Sequence, residues 1–415
     1  MKIRLLLPLL AALITACAHI DPAPDATARL QAADLGARQT PVDWPSAQWW
    51  QRYGDAQLDA LVQQALAGSP SLAAARARVE QANAAVGEAR AARLPQASAN
   101  YNFTRQRYSE NYIYPDPLGG SVGDDNRLAL DFSFEFDFWG KNRALLEAAV
   151  SQAQAAEAET QAARNVLVDG VLTAYFNLQN AFAQRAVLDN VITQRSAVAR
   201  MTRDRFDAGL DTQVEVKQAE SAVSAVRAER ERIEANIARL RHQIAALLGA
   251  GPQRGESIQP VALQMPRTDV PETIPLELLG HRPDVVAARW RAEASSHAID
   301  AARARFYPNV NLTAFVGLMS LGTSTLFDSG SRMAGIGPAI SLPIFEGGRL
   351  NANLRGRRAE AELAVADYNQ TVLQAVQKVA DTLADIRSLA REAEHQHQAR
   401  DSIQAAYDLA VNRYE

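Results

Sequence analysis

The sequence contains one long stretch twice. Pro70-Ser71-Leu72-Ala73-Ala74-Ala75-Arg76-Ala77-Arg78-Val79-Glu80, with its continuation through Gly87 to Pro95, returns 213 residues later as Pro283 to Glu293 and Ala302 to Pro308. Both prolines, Arg76/Arg289, Arg78/Arg291, Glu80/Glu293 and Ala89-Arg90-Ala91/Ala302-Arg303-Ala304 superpose without a gap. Solenoid repeats have units of roughly 20 to 50 residues, so this period indicates a duplicated half-molecule. Every other feature is therefore read in pairs.

The 43 basic and 47 acidic residues nearly cancel, which leaves no basic footprint for nucleic acid. Hydrophobic residues make up 47% of the chain but aromatics only 7%; the alanine-rich remainder suits long, closely approaching helices.

The N-terminus reads as a targeting segment over residues 1–16. Lys2 and Arg4 precede the apolar run Leu5 to Leu13, and Thr15-Ala16 lead into Cys17, the only cysteine. Small residues directly before a lone cysteine match a bacterial lipobox. Cleavage there would leave Cys17 for acylation, and burial at ~0.8 kcal/mol per methylene makes two or three acyl chains a durable anchor. Ala18, rather than an aspartate, fits sorting to the outer membrane. After residue 17 no stretch approaches ~18 uninterrupted apolar residues, so any membrane crossing must use strands.

Strand periodicity appears in both copies. Leu128, Leu130, Phe132, Phe134, Phe136 and Phe138 alternate with Ala129, Asp131, Ser133, Glu135 and Asp137, matching the ~9–11 residues of a tilted transmembrane strand. Ala97 to Tyr108 is the expected partner, with Ser109 to Asn126 as a loop; a covered strand of a soluble sandwich is the competing reading. In the second copy Val310, Leu312, Ala314, Val316 and Leu318 alternate, and Ala334 to Phe345 returns. The expected membrane hairpins are 97–139 and 309–345. Trp139-Gly140-Lys141-Asn142-Arg143 corresponds to Phe345-Glu346-Gly347-Gly348-Arg349, a tight turn from strand into helix.

The helices that follow are long. Arg143 to Arg205 holds no proline and would extend on the order of 90 Å. Val168, Val171, Tyr175, Leu178 and Phe182 keep a 3-4 spacing, as do Val223, Val226, Arg230, Ile233, Ile237, Leu240, Ile244 and Leu247. Such seams predict antiparallel coiled-coil packing. The organisation is thus a first repeat at 58–251, a proline-rich linker at 252–276 and a second repeat at 277–415.

One hairpin per half gives four membrane strands per chain. Unpaired strand edges are not tolerated in hydrocarbon and single-chain barrels start at about 8 strands, so chains must associate. Two would supply 8 strands and three would supply 12, and spacing alone does not choose.

The combination resembles the outer membrane factor family, the exit channels of tripartite efflux systems, in its lipoprotein branch. The residues that carry the resemblance are Cys17, Leu278-Leu279-Gly280-His281-Arg282-Pro283-Asp284-Val285, the twin helix-proline-strand units, Trp139-Gly140-Lys141, and Arg205-Phe206-Asp207-Ala208-Gly209-Leu210. It implies a homotrimer, with a 12-stranded β-barrel in the outer membrane continued by a periplasmic α-helical barrel of coiled coils. It also implies a periplasmic adaptor and an inner-membrane pump as partners, and passive export of drugs or other small molecules. Arg205, Phe206, Gly209 and Leu210 would form the adaptor-contacting tip. In the second half the matching tip point is Asn412-Arg413-Tyr414-Glu415, where the sequence stops, so a C-terminally incomplete chain is expected.

Asp131, Glu135 and Asp137 are expected to line the pore lumen, either making it cation-favouring or simply wetting it. No catalytic, cofactor or metal constellation is found: His395 and His397 are two apart on a helix and face differently. The competing function class is a lipid-anchored periplasmic coiled-coil scaffold without a pore.

Overall fold

The computed structural model describes residues 28–30, 46–262 and 280–414. Cys17, the segment 1–16, linker residues 263–276 and Leu278-Leu279 lie outside the described residues. The elements are α1 (Ala56–Gly68), α2 (Pro70–Ala91), β1 (Gln96–Arg107), β2 (Val122–Phe136), α3 (Lys141–Asp207), α4 (Gln213–Leu247), α5 (Gln253–Glu256), α6 (Pro283–Ala304), β3 (Asn309–Leu321), β4 (Arg332–Ser341) and α7 (Arg349–Tyr414). The duplication survives as α2-β1-β2-α3 and α6-β3-β4-α7. Both α2 and α6 begin on the duplicated prolines, at the helical position where a missing N–H costs nothing.

The chain divides into two compact units, residues 1–31, 79–156 and 285–375 in one, and residues 32–78, 157–284 and 376–415 in the other. The first holds a four-stranded antiparallel sheet in the order β1-β2-β3-β4. The two hairpins therefore meet at β2 and β3, while β1 and β4 are the edges.

Register decides which face each side chain takes. Leu128 lies opposite Tyr101 and Leu318, Leu130 opposite Ala99 and Val316, and Phe132 opposite Ala97 and Ala314. Val316 in turn opposes Ala334, Ala314 opposes Ile336, and Val310 opposes Ile340. Paired residues share a face, so one apolar band crosses all four strands. The other face carries Asn100, Asn102, Asp131, Ser133, Glu135, Asn311 and Thr313. The apolar band is open: Leu130 is 48%, Phe132 41% and Ile336 76% exposed. A sandwich strand would be covered by a second layer, and among the described residues none covers this one.

Strand limits differ from the sequence expectation at both ends of β2, which stops at Phe136 instead of Phe138, and at the end of β4. β2 starts at Val122, well inside the segment read as loop, although Asp124, Asp125 and Asn126 are poor strand formers by propensity. Pairing with Arg105, Thr104 and Phe103 holds them in the ladder, and an Arg105–Asp124 ion pair of 3.4 Å crosses it. β4 stops at Ser341 instead of reaching Phe345; Pro343 has no N–H to donate to a ladder. In the same unit, Ala153, Ala155 and Ala156 of α3 and Ala287, Ala288, Ala292, Ala301 and Ala302 of α6 are buried, small side chains that permit close packing.

The second unit has the large-residue core. Trp50, Leu58, Leu61, Val62, Leu172, Ile258 and Leu248 pack with the α3 seam Val168, Val171, Tyr175, Leu178 and Phe182 and with Ile237 and Ile244 of α4. All five residues of that α3 seam are buried, as the spacing requires. Antiparallel pairing of α3 with α4 is fixed by Arg185–Glu234 at 3.3 Å, Arg230–Asp189 at 2.7 Å and Arg203–Glu220, whose α4 partners descend as the α3 residues ascend.

A polar network closes this core. Asp55 caps α1 by accepting the N–H groups of Gln57 and Leu58 at 2.8 and 3.1 Å. Tyr175 donates its hydroxyl to the other Asp55 oxygen at 2.5 Å. Burial, and then this bond, push the Tyr175 hydroxyl above its ordinary value. Gln57 and Gln179 fasten the start of the linker: Gln57 accepts Gln259 N–H at 3.0 Å and Gln179 accepts Val261 N–H at 2.9 Å.

Candidate functional site

The residues expected at the lumen do different jobs. Asp131 lies on the polar face of β2, where Arg127 donates to both its carboxylate oxygens at 3.1 and 2.5 Å and Asn100 donates at 2.8 Å. Arg127 also lies 5.9 Å from the centre of the Phe315 ring. That ring rests over Gly335, where a side-chain carbon would come within 2.7 Å of it. Glu135, on the same face, is paired with Lys141 at 2.5 Å. Asp137 lies past the end of β2, and its carboxylate accepts the N–H groups of Asn142 and Arg143 at 3.0 and 2.7 Å. It caps the start of α3, where backbone donors and the helix dipole favour a negative charge. All three carboxylates are therefore compensated by groups of the same chain, a feature that alternation alone does not disclose.

The strand-to-helix turn is braced by aromatics. Trp139 stacks on Tyr307 with ring centres 4.7 Å apart and donates its indole N–H to the Pro308 carbonyl at 2.8 Å. The apolar face continues past the strand ends through exposed Phe138, Ile344 and Phe345, as aromatic residues do at a membrane interface.

The α3–α4 turn brings together the four residues expected at the tip. Gly209 has φ of 75°, and its N–H bonds the Phe206 carbonyl while that of Leu210 bonds Arg205, both at 2.8 Å. This is a Schellman closure, which glycine permits because it lacks the Cβ that penalises left-handed backbone. Arg205 grips Asp211 with two bonds of 2.8 and 3.1 Å. Thr212 caps α4 and forms a capping box with Glu215. Arg205 holds the Asp211 carboxyl below its ordinary value, as the Thr212 bonds do for Glu215. Phe206 and Leu210 are left outward, Leu210 at 66% exposure.

Among the described residues no group of three potential metal ligands occurs, and no helix is long and apolar enough to cross a membrane.

An exposed apolar band crossing four strands, backed by a polar face and continued in sequence by a long helical hairpin, defines a membrane protein of the strand-built kind. The chain belongs to the outer membrane efflux protein family, which matches residues 61–250 and 274–415. It is 39% identical over 340 residues to the fusaric acid resistance protein FusA of Burkholderia cepacia, covering 81% of this chain. That match spans 63% of FusA, less than two thirds of its length. The multidrug resistance outer membrane protein MdtP of Shigella flexneri is 36% identical over 377 residues, covering 88% of this chain and 77% of MdtP. The crystal structure of the outer membrane protein VceC from Vibrio cholerae superposes with a TM-score of 0.83 at 39% identity, covering 89% of each chain.

Proposed function

We propose that this chain is one stave of a passive exit duct in the outer membrane. Three copies would close a 12-stranded barrel in a tripartite efflux system and pass drugs or other small molecules outward. Energy would come from an inner-membrane pump reached through a periplasmic adaptor. The observation that carries this reading is the apolar band across β1-β2-β3-β4, which water cannot solvate and which a coiled-coil scaffold does not need. The resemblance of Cys17 to a lipobox residue supports a lipid anchor. The test is reconstitution: three-copy assemblies by native mass spectrometry and stepwise conductance in planar bilayers are expected. Single copies that release from membranes without detergent would favour the scaffold.

Asp131 and Glu135 wet the lumen with their charges held by Arg127 and Lys141. Asp131→Asn, which leaves the Arg127 guanidinium unpaired, should therefore shift the pore toward anions, whereas Arg127→Ala, which frees the carboxylate, should shift it toward cations. Reversal potentials in a salt gradient read both.

The tip is the proposed adaptor contact through Arg205, Phe206, Gly209 and Leu210. Phe206→Ser with Leu210→Ser removes exposed apolar surface, so thermal stability should hardly move, as is usual for surface substitutions. Adaptor crosslinking and drug resistance should fall together. Unchanged crosslinking would place the adaptor elsewhere.

A further inference from the structure

The two halves of the chain are unequal at one place. Asn369 of α7 uses both ends of its amide on the main chain near the N-terminus: Oδ1 accepts the Leu30 N–H at 2.8 Å and Nδ2 donates to the Ala28 carbonyl at 3.0 Å. The bonds straddle Arg29, as a neighbouring strand's backbone would. Arg29 itself reaches Glu293 of α6 at 3.3 Å. Glu293 is one of the duplicated residues, yet its counterpart Glu80 has no ion-pair partner among the described residues. At the offset of 206 set by Arg143 and Arg349, the counterpart of Asn369 is Ala163, which cannot make either bond. The clamp is thus present in only one copy of the repeat, and a chain has only one N-terminus to hold.

We propose that Asn369 and Glu293 form a seat for residues 28–30 as an extended peptide, fixing the point from which the N-terminal leader departs. Because both of these Asn369 hydrogen bonds go to main-chain atoms, they hold whatever sequence stands there, and Arg29 adds a side-chain ion pair. The consequence for anchoring rests on the lipid-bearing reading of Cys17. From Cys17 to Ala28 the chain can span at most about 40 Å, so the acyl chains would be held within that distance of the seat.

Hydrogen exchange on the full-length channel in detergent tests this. Asn369→Leu, on a helix face where leucine is the better helix former, should speed exchange in peptides covering residues 28–30 by about tenfold, the effect of losing two net-stabilising bonds. Exchange in α7 should stay as in the wild type. Asn369→Asp keeps an acceptor for Leu30 but loses the donor to Ala28, and should fall between. Arg29→Glu combined with Glu293→Arg should restore protection lost in Glu293→Arg alone. Unaltered exchange in Asn369→Leu would overturn the seat. The mass of the mature N-terminus, taken on the same wild-type sample, bears separately on the anchor: absent acyl chains would remove the Cys17 reading and leave the seat intact.

Discussion

Phe132→Arg should cost the membrane-embedded channel about 2–4 kcal/mol, the penalty for a basic side chain on the lipid face of a strand near the bilayer midplane. Phe132 is the choice because its cross-strand neighbours are Ala97 and Ala314. Small residues on both sides give a guanidinium nothing to pair with and leave it to hydrocarbon. The control is Thr313→Arg, one residue along β3 and on the polar face, opposite Ser133 and Gly337. There the new charge meets water, and stability should stay near the wild-type value while ion selectivity changes. Urea unfolding in lipid vesicles, with heat-modifiable migration on gels as the folded-state readout, separates the two. Equal tolerance of both arginines would mean that the apolar band does not face lipid.

The second large effect is expected from Gly249→Ala. Gly249 and Gly209 share a left-handed backbone, with φ of 71° and 75°, and each closes a helix. Their surroundings differ. A Cβ at Gly249 would stand 2.3 Å from the Gly68 carbonyl oxygen, whereas at Gly209 nothing lies within 4 Å. Left-handed backbone costs an alanine roughly 1–2 kcal/mol, and that is the whole expectation for Gly209→Ala. At Gly249 the added carbon must also push apart the ends of α1 and α4, and overpacking typically adds about 1–3 kcal/mol. Gly249→Ala should therefore lose about 2–5 kcal/mol in all. Thermal melts of the two variants side by side decide it; similar losses would show that the Gly68–Gly249 approach yields easily.

Those two glycines also mark what a sequence can disclose. Gly209 and Gly249 both announce helix ends, but only the partner chain segment tells which of them is crowded. The same division runs through the molecule. The Leu128 to Phe136 alternation and the Val168 to Phe182 seam are legible because each repeats with the period of its own element. The start of β2 at Val122 is not, since Asp124 to Asn126 are held by β1 against their own propensity. On the polar face of β2, Asp131 and Glu135 are visible as carboxylates. Their neutralisation by Arg127 and Lys141 depends on where long side chains reach, which no periodicity records. Asp137 belongs to the alternating pattern by parity yet serves the helix that follows, because β2 ends one residue earlier. The glutamine clamps on Gln259 and Val261, and the Asn369 contact with Ala28 and Leu30, join positions 82 to 341 residues apart through single amides, and such residue types are common enough on helices to carry no signal alone.

The open edges of the sheet have a consequence for genetics. In the proposed ring, β1 of each copy must find β4 of another before either can rest in hydrocarbon, so no subunit completes its own wall. A copy whose edge ladder is disabled, for example by proline in the middle of β1, would not simply be lost from the pool. Co-expressed with intact subunits, it would enter rings through its sound β4 edge and leave each with a seam that cannot close. Such an allele should behave as dominant over the wild type, sensitising cells that still carry a functional copy.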